Sequence, residues 1–205
     1  LTKVSFVSPM LGCAVGDSGA IIKTTDGGER WTHKPSGTLA PLNDVQFFSS
    51  LLGWSCGRNA ILRTIDGGEN WTRTTFSDTT VINGICFKSV THGWAVGYEY
   101  NHYFTLFRGI VYRTTDGGNN WSKQRVDSTR TFSRVKFFNE QVGWILPGFF
   151  TTDGGENWLR STTLDNAIAI QFISQLTGYV LYNNGSLAKT TDGGASWTLS
   201  PAGAS

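Results

Sequence analysis

The chain has 205 residues with a formal net charge of +2, of which 39% are hydrophobic, 13% aromatic and 16% charged. That balance excludes a disordered chain and a broadly basic nucleic-acid binder, and no apolar run is long enough for a membrane-spanning helix. The length suits one domain with a sizeable core.

One stretch organises the rest. Thr64-Ile65-Asp66-Gly67-Gly68-Glu69-Asn70-Trp71 returns with its Thr at 24, 114, 151 and 190, so the chain is a repeat protein. The aspartates are Asp26, Asp66, Asp116, Asp153 and Asp192, and the tryptophans Trp31, Trp71, Trp121, Trp158 and Trp197. A carboxylate can accept several N–H groups of its own tight turn, and two glycines supply positive φ without steric cost. The threonine hydroxyl adds a local bond, and the tryptophan plugs the exit with a large apolar face. These residues read as structural. A calcium loop would need more oxygen ligands at alternating positions, and no GK[ST] follows the glycines as a phosphate loop requires.

Each unit opens on an alternating segment: Val4-Ser5-Phe6, Val45-Gln46-Phe47, Ile85-Cys86-Phe87, Val135-Lys136-Phe137 and Ile170-Gln171-Phe172. A Gly-aromatic pair then starts a second segment (Gly53-Trp54, Gly93-Trp94, Gly143-Trp144, Gly178-Tyr179), with Gly12-Cys13 the exception. A third segment runs into the Asp turn and a fourth starts at its tryptophan. Short period-two runs separated by turn signals predict strands, and four strands per unit predict an all-β propeller of antiparallel blades. The blades fall at about 1–35, 42–76, 82–126, 132–162 and 167–201 of a single domain.

The five turns look like Asp-boxes of the bacterial neuraminidase repeat type. The whole unit resembles the repeats of the photosystem II stability and assembly factors, over essentially the entire chain. The resemblance implies boxes between strands three and four of each blade, with a structural role. It also implies a noncatalytic assembly module, without a cofactor, that docks a protein or peptide partner. Its photosynthetic members are lumenal or thylakoid-associated, which favours an extracytoplasmic compartment without fixing one. Those members usually have seven blades. Either this chain is a compact five-bladed ring or it is an excised portion of something larger; because it opens on a first strand and closes after a fourth, the expectation here is a complete ring of five, with Val4, Phe6, Ile170 and Phe172 inaccessible.

Blade topology puts the boxes on one face and variable loops on the other. Between strands two and three, blades one, two and five have only short connections. Blade three has thirteen residues, Tyr98 to Ile110, and the continuing alternation predicts a projecting β-hairpin. Blade four instead turns tightly at Pro147-Gly148. Tyr98 and Tyr100 are expected to pack inward over that shortened neighbour. His102, Tyr103, Phe104, Phe107 and Arg108, with the Tyr- and Arg-rich make-up of interface hot spots, are expected to stay available for binding. Arg58 and Arg134 are the arginines placed to reach the same face, and Lys3 and Asp44 lie at the channel mouth.

The alternative is a carbohydrate-binding or glycoside-hydrolysing propeller. Its carboxylates would come from Asp17, Asp44, Asp78, Glu99, Asp127 and Asp165, which nothing in the sequence pairs. Lys23, Arg63, Arg113 and Lys189 recur just before the box, and His33, Arg73, Lys123 and Arg160 recur on the outer strand. Both series read as sheet-edge protection. The three histidines are scattered, so no metal site is expected. Cys13, Cys56 and Cys86 are odd in number and read as buried free thiols.

Overall fold

The computed structural model describes residues 1–103, 105–124, 126 and 129–200. It consists of five four-stranded antiparallel sheets, each built from consecutive strands. Blade one comprises Lys3–Phe6, Gly12–Val15, Ile21–Thr24 and Thr32–Lys34 (β1–β4), and blade two Leu42–Phe47, Gly53–Gly57, Ala60–Thr64 and Thr72–Thr75 (β5–β8). Blade three has the longest strands: Thr80–Phe87, Gly93–Tyr100, Phe107–Thr114 and Ser122–Gln124 (β9–β12). Blade four is Arg134–Phe137, Gly143–Leu146, Phe149–Thr151 and Leu159–Arg160 (β13–β16), and blade five Ala167–Phe172, Gly178–Tyr182, Leu187–Thr190 and Thr198–Leu199 (β17–β20). First strands line a central channel.

Within each box the Thr, Asp and Gly groups satisfy one another. In blade two the Thr64 hydroxyl donates to Asp66 Oδ1 (2.8 Å) and accepts from Gly68 N (2.8 Å), while Asp66 Oδ1 also accepts from Asn70 N (3.0 Å). The first box glycine donates to the turn between strands one and two of its own blade, as from Gly67 N to Leu51 O and from Gly154 N to Gln141 O (2.8 Å each). All five boxes therefore sit on one face beside those turns. Both glycines of each box lie at φ between 74° and 99°, a region an L side chain rarely adopts.

The core lies between blades. Four apolar clusters join one to two, two to three, three to four and four to five. At the last three of these seams a strand-two tryptophan stacks on the next blade's strand-one phenylalanine. The pairs are Trp54–Phe87, Trp94–Phe137 and Trp144–Phe172, with centroids 3.4, 3.5 and 3.9 Å apart. The other side of each phenylalanine lies on a glycine of its own blade. A Cβ at Gly93 would stand 2.5 Å from the Phe87 ring, which is why a glycine precedes the strand-two aromatic.

Backbone on the inner strands is clasped by the preceding blade. Gln46 Oε1 accepts from Phe87 N (2.8 Å) and its Nε2 donates to Phe87 O (3.0 Å), while Asp44 Oδ2 accepts from Ile85 N (3.1 Å). Cys13, Cys56 and Cys86 are free and buried, and burial pushes the Cys13 thiol up to about 12.

Two expectations need correction. Closure of the five blades into a ring is not what the structure shows. Val4 and Phe6 are 50% and 46% exposed, and among the described residues no apolar cluster joins blade five to blade one. Ile170 is buried and Phe172 half-buried, but against blade four, because the Val-x-Phe side chains face the preceding blade.

Two of the basic residues that precede a box, Lys23 and Arg113, are not edge protectors either. Lys23 donates to Glu69 (2.8 Å) and Arg113 to Glu156, each reaching from one blade to the next blade's box. On the outer strands, Arg73 donates to Asn59 Oδ1 (2.7 Å), Lys123 pairs with Glu99 (2.6 Å) and Arg160 with Asp165.

Candidate binding face

The face opposite the boxes carries the irregular features. In blade three, β10 and β11 pair continuously from Gly93↔Thr114 to Tyr100↔Phe107, so the inserted residues extend the sheet as a hairpin. Its end is closed by Asn101, whose Oδ1 accepts from Thr105 N (2.9 Å) and Leu106 N (3.2 Å). Tyr98, Tyr100 and Phe107 form a ring cluster with centroids 5.7 to 6.4 Å apart.

The hairpin is tied to blade two. Arg58 Nη2 donates to Tyr100 Oη (2.9 Å), which donates to Asp78 O (3.1 Å). Tyr98 and Tyr100 are half-buried as the alternation suggests, but Tyr100 is held by its hydroxyl contacts rather than by Pro147-Gly148. The shortened blade four closes its own corner instead: Arg160 donates to Gly148 O (3.2 Å) and pairs with Asp165, while Gly148 takes φ 89°.

Of the candidate binding residues, Tyr103 is 84% exposed and Phe107 38%, and His102 and Arg108 are also exposed. Leu106 adds further apolar surface at the tip. Phe104 lies outside the described residues. The structure thus groups His102, Tyr103, Phe107 and Arg108 on one hairpin, with Arg58 joined to it through Tyr100. Arg134 is elsewhere, at the start of β13 on the channel wall.

The channel has a volume of about 560 Å³. Lys3, Lys88, Arg134 and Lys136 line it against a single carboxylate among the described lining residues, Asp44. Burial raises the Asp44 pKa; N–H donation from Ile85, the Lys3 ammonium and Val45 N–H act in the opposite direction. Lys3 approaches Asp44 at 3.9 Å, whereas Lys88, Arg134 and Lys136 have no ion pair among the described residues. Lys88 and Lys136 were not singled out from the sequence. The available signal was positional: Lys136 occupies the middle place of Val-x-Phe, which in other blades holds Ser5, Gln46, Cys86 or Gln171.

The other carboxylates considered for hydrolysis are dispersed. Asp78 accepts from Asn59, Glu99 pairs with Lys123 and accepts from Tyr112, and Asp165 pairs with Arg160 and Arg130. Asp127 lies outside the described residues. The box aspartates sit on the opposite face, where their carboxyls are held below the usual range by N–H donation in four boxes and, at Asp192, first by the Ser196 hydroxyl and then by its N–H. No helix is long and apolar enough to cross a membrane among the described residues, which also contain no cluster of three metal-ligating side chains.

Residues 1–80 match the family model of the Photosynthesis system II assembly factor YCF48. No curated protein matches the sequence. Among solved structures, YCF48 bound to D1 peptide is 17% identical, with 98% of this chain and 80% of that chain covered and a TM-score of 0.52. An ancestral GH74 enzyme is 16% identical (96% and 30% covered, TM-score 0.75), and the GH74 xyloglucanase from Xanthomonas campestris 13% (100% and 38% covered, TM-score 0.66). This chain therefore spans about a third of the length of the two GH74 proteins. At these identities the shared property is the propeller fold. The resemblance to photosystem II assembly factors, read from the boxes, is supported by the family match over the first two blades.

Proposed function

We propose that this five-bladed propeller is a noncatalytic docking module that binds a peptide or protein on the face opposite its boxes. The observation that carries the reading is the blade-three hairpin, which holds Tyr103, Leu106 and Phe107 in solvent beside His102 and Arg108. Exposed aromatic and apolar groups next to an arginine are the composition of interface anchors, and a sheet extended into solvent is a costly way to place them without a partner. Arg58 and Arg134 extend the same face toward the channel, whose cations suit a segment bearing carboxylates. A solved propeller of this resemblance holds a D1 peptide, which supports a peptide as the ligand class.

Replacing residues 99–109 by an Asn-Gly turn tests the proposal, with a labelled D1 peptide as the probe in fluorescence anisotropy. Binding by the parent chain and its loss in the folded variant is the expected result. Undiminished binding by the variant would move the site to the channel. Glycan binding or hydrolysis is the rival reading, favoured by the fold likeness to GH74 enzymes. Release of reducing ends from xyloglucan by the purified chain would establish it in place of peptide docking.

A further inference from the structure

The inner strand of blade five meets its neighbour through different chemistry from the other inner strands. At three seams the middle residue of Val-x-Phe receives the N–H of the next blade's phenylalanine. Ser5 Oγ accepts from Phe47 N (3.1 Å), Gln46 Oε1 accepts from Phe87 N (2.8 Å), and the Phe137 N–H faces the Cys86 sulfur. Two residues before Gln46, Asp44 Oδ2 accepts from Ile85 N (3.1 Å). Blade four carries Lys136 in the place of Gln46 and Arg134 in the place of Asp44. Neither of those side chains has an atom that can accept.

The donors of blade five are nonetheless in place. Ile173 N donates to Thr177 O (3.0 Å), so the alternation of an antiparallel pair turns the N–H groups of Phe172 and Ile170, opposite Gly178 and Val180, away from β18. Gln171 Nε2 donates to the Phe172 carbonyl (3.1 Å), but neither N–H has an acceptor among the described residues. Phe172 stacks on Trp144 at 3.9 Å and Ile170 is buried, which fixes both donors. Lys88 and Lys136 line a pocket of about 210 Å³ together with Ile170, Gln171 and Phe172. Arg134 lines the adjoining channel, again with Ile170. These three cations are exposed and have no ion pair among the described residues. Asp44, the one carboxylate among the described residues of the channel wall, is engaged by Ile85 N, Val45 N and Lys3.

We propose that the pocket between blades four and five binds a short dicarboxylate. One carboxylate accepts from Phe172 N between Lys88 and Lys136, as Gln46 Oε1 accepts from Phe87 N. The other accepts from Ile170 N beside Arg134. Asp44 supplies the pattern within the same channel, with one oxygen on Ile85 N and the other facing Lys3. Hydrogen bonds between a carboxylate and ammonium or guanidinium groups are the strong, charge-assisted kind. Alternate residues of a strand lie about 6.8 Å apart, a span that the two ends of glutarate cover and a single oxyanion does not. Phe172 leads into the turn that bonds to the blade-five box, through Gly193 N to Leu176 O (2.8 Å). The site therefore lies at the box end of the channel, and it does not depend on the hairpin or on peptide docking.

Titration of the full chain, labelled with nitrogen-15, with glutarate at low ionic strength tests the proposal. The amide resonances of Phe172 and Ile170 should move saturably, while neutral glutaramide leaves them in place. Lys136→Gln installs the side chain that clasps Phe87 in blade three, so it should raise the thermal midpoint of the ligand-free chain. The same change should weaken glutarate binding by at least about tenfold, because a charged partner is lost and the new amide takes the Phe172 N–H. Lys88→Ala alters only an exposed side chain and should weaken binding several-fold without moving the midpoint. Absence of a saturable shift at Phe172, equal shifts with sodium chloride at matched ionic strength, or undiminished binding by both variants would overturn the proposal. So would a response to a peptide of alternating glutamates with none to glutarate, which would give these donors to a polypeptide instead.

Discussion

The box face and the opposite face use the same four-stranded blade for different ends. On the box face every unit repeats one solution, in which Thr, Asp and Gly satisfy one another and the next blade's neighbours add a second layer of bonds. Trp54 Nε1 donates to Gly117 O and Trp94 Nε1 to Gly154 O (2.9 Å each), so box carbonyls anchor the seams. On the opposite face units differ in length, and one of them carries aromatic and apolar side chains into water. Repetition marks what holds the fold, and departure from it marks what is free to recognise something. The comparison predicts a gradient of stability effects from the seams at the box face to the hairpin tip.

The largest effect should come from a seam that ends in a box. Trp94 is fully buried, stacks on Phe137 and bonds to the box of blade four. Trp94→Ala should destabilise by about 3–5 kcal/mol, the usual cost of deleting a buried large aromatic, measured by denaturant unfolding. A loss below about 1 kcal/mol would mean that the blades do not depend on their seams.

Within the box itself the effect should be smaller. Asp153 accepts from Thr151 Oγ1 (2.8 Å), Asn157 N (3.0 Å) and Asn157 Nδ2 (2.8 Å). Asp153→Ala leaves those donors to water and should lower the thermal midpoint by several degrees. Peptide affinity of the folded fraction should not change, because the box lies on the other face. Weaker peptide binding with an unaltered midpoint would contradict the division between faces.

Acid should reveal the same bonds. N–H donation from Asn120 and Asn157, first from backbone and then from side chain, lowers the Asp116 and Asp153 pKa values from 3.8 to about 2. A carboxyl depressed in the folded state stabilises it above its ordinary pKa, and that contribution is lost as pH falls toward the folded value. The midpoint should therefore drop between about pH 4 and pH 2, and Asp153→Asn should flatten that slope. Identical slopes for parent and variant would count against the box carboxylate as a stabilising acceptor.

Much of the fold was legible because the box residues are themselves the turn chemistry, and the Val-x-Phe alternation marks a strand whatever surrounds it. Which neighbour a side chain faces was not legible. Lys23 and Glu69 are 46 residues apart, and only the stacking of blades shows that a base before one box belongs to the acid of the next. The same ambiguity hid the open side, since Ile170 and Phe172 are covered by blade four whether or not the array closes. For the binding face, the hairpin was visible as an insertion. Its lean toward Arg58 was not, because it depends on a hydroxyl contact across blades. Lys88 and Lys136 came together only when the inner strands were placed around one channel.

The smallest stability effect belongs at the hairpin tip, and it tests the comparison from the other end. Tyr103 is 84% exposed and none of its ring contacts contributes to an apolar cluster between blades. Tyr103→Ala should change stability by no more than about 0.5 kcal/mol, as for surface substitutions that remove no buried contact. Arg108, exposed on β11, should behave in the same way. If the tip is an interface anchor, each of these changes should nonetheless weaken binding of the peptide probe, the tyrosine more than the arginine, because aromatic truncation removes both area and rigidity. Phe107 is an internal control: its ring lies against Tyr98 and Tyr100, so Phe107→Ala should lower both stability and affinity. A tip whose truncation leaves both quantities unchanged would be a passive extension of the sheet, and recognition would then fall to the cations of the channel.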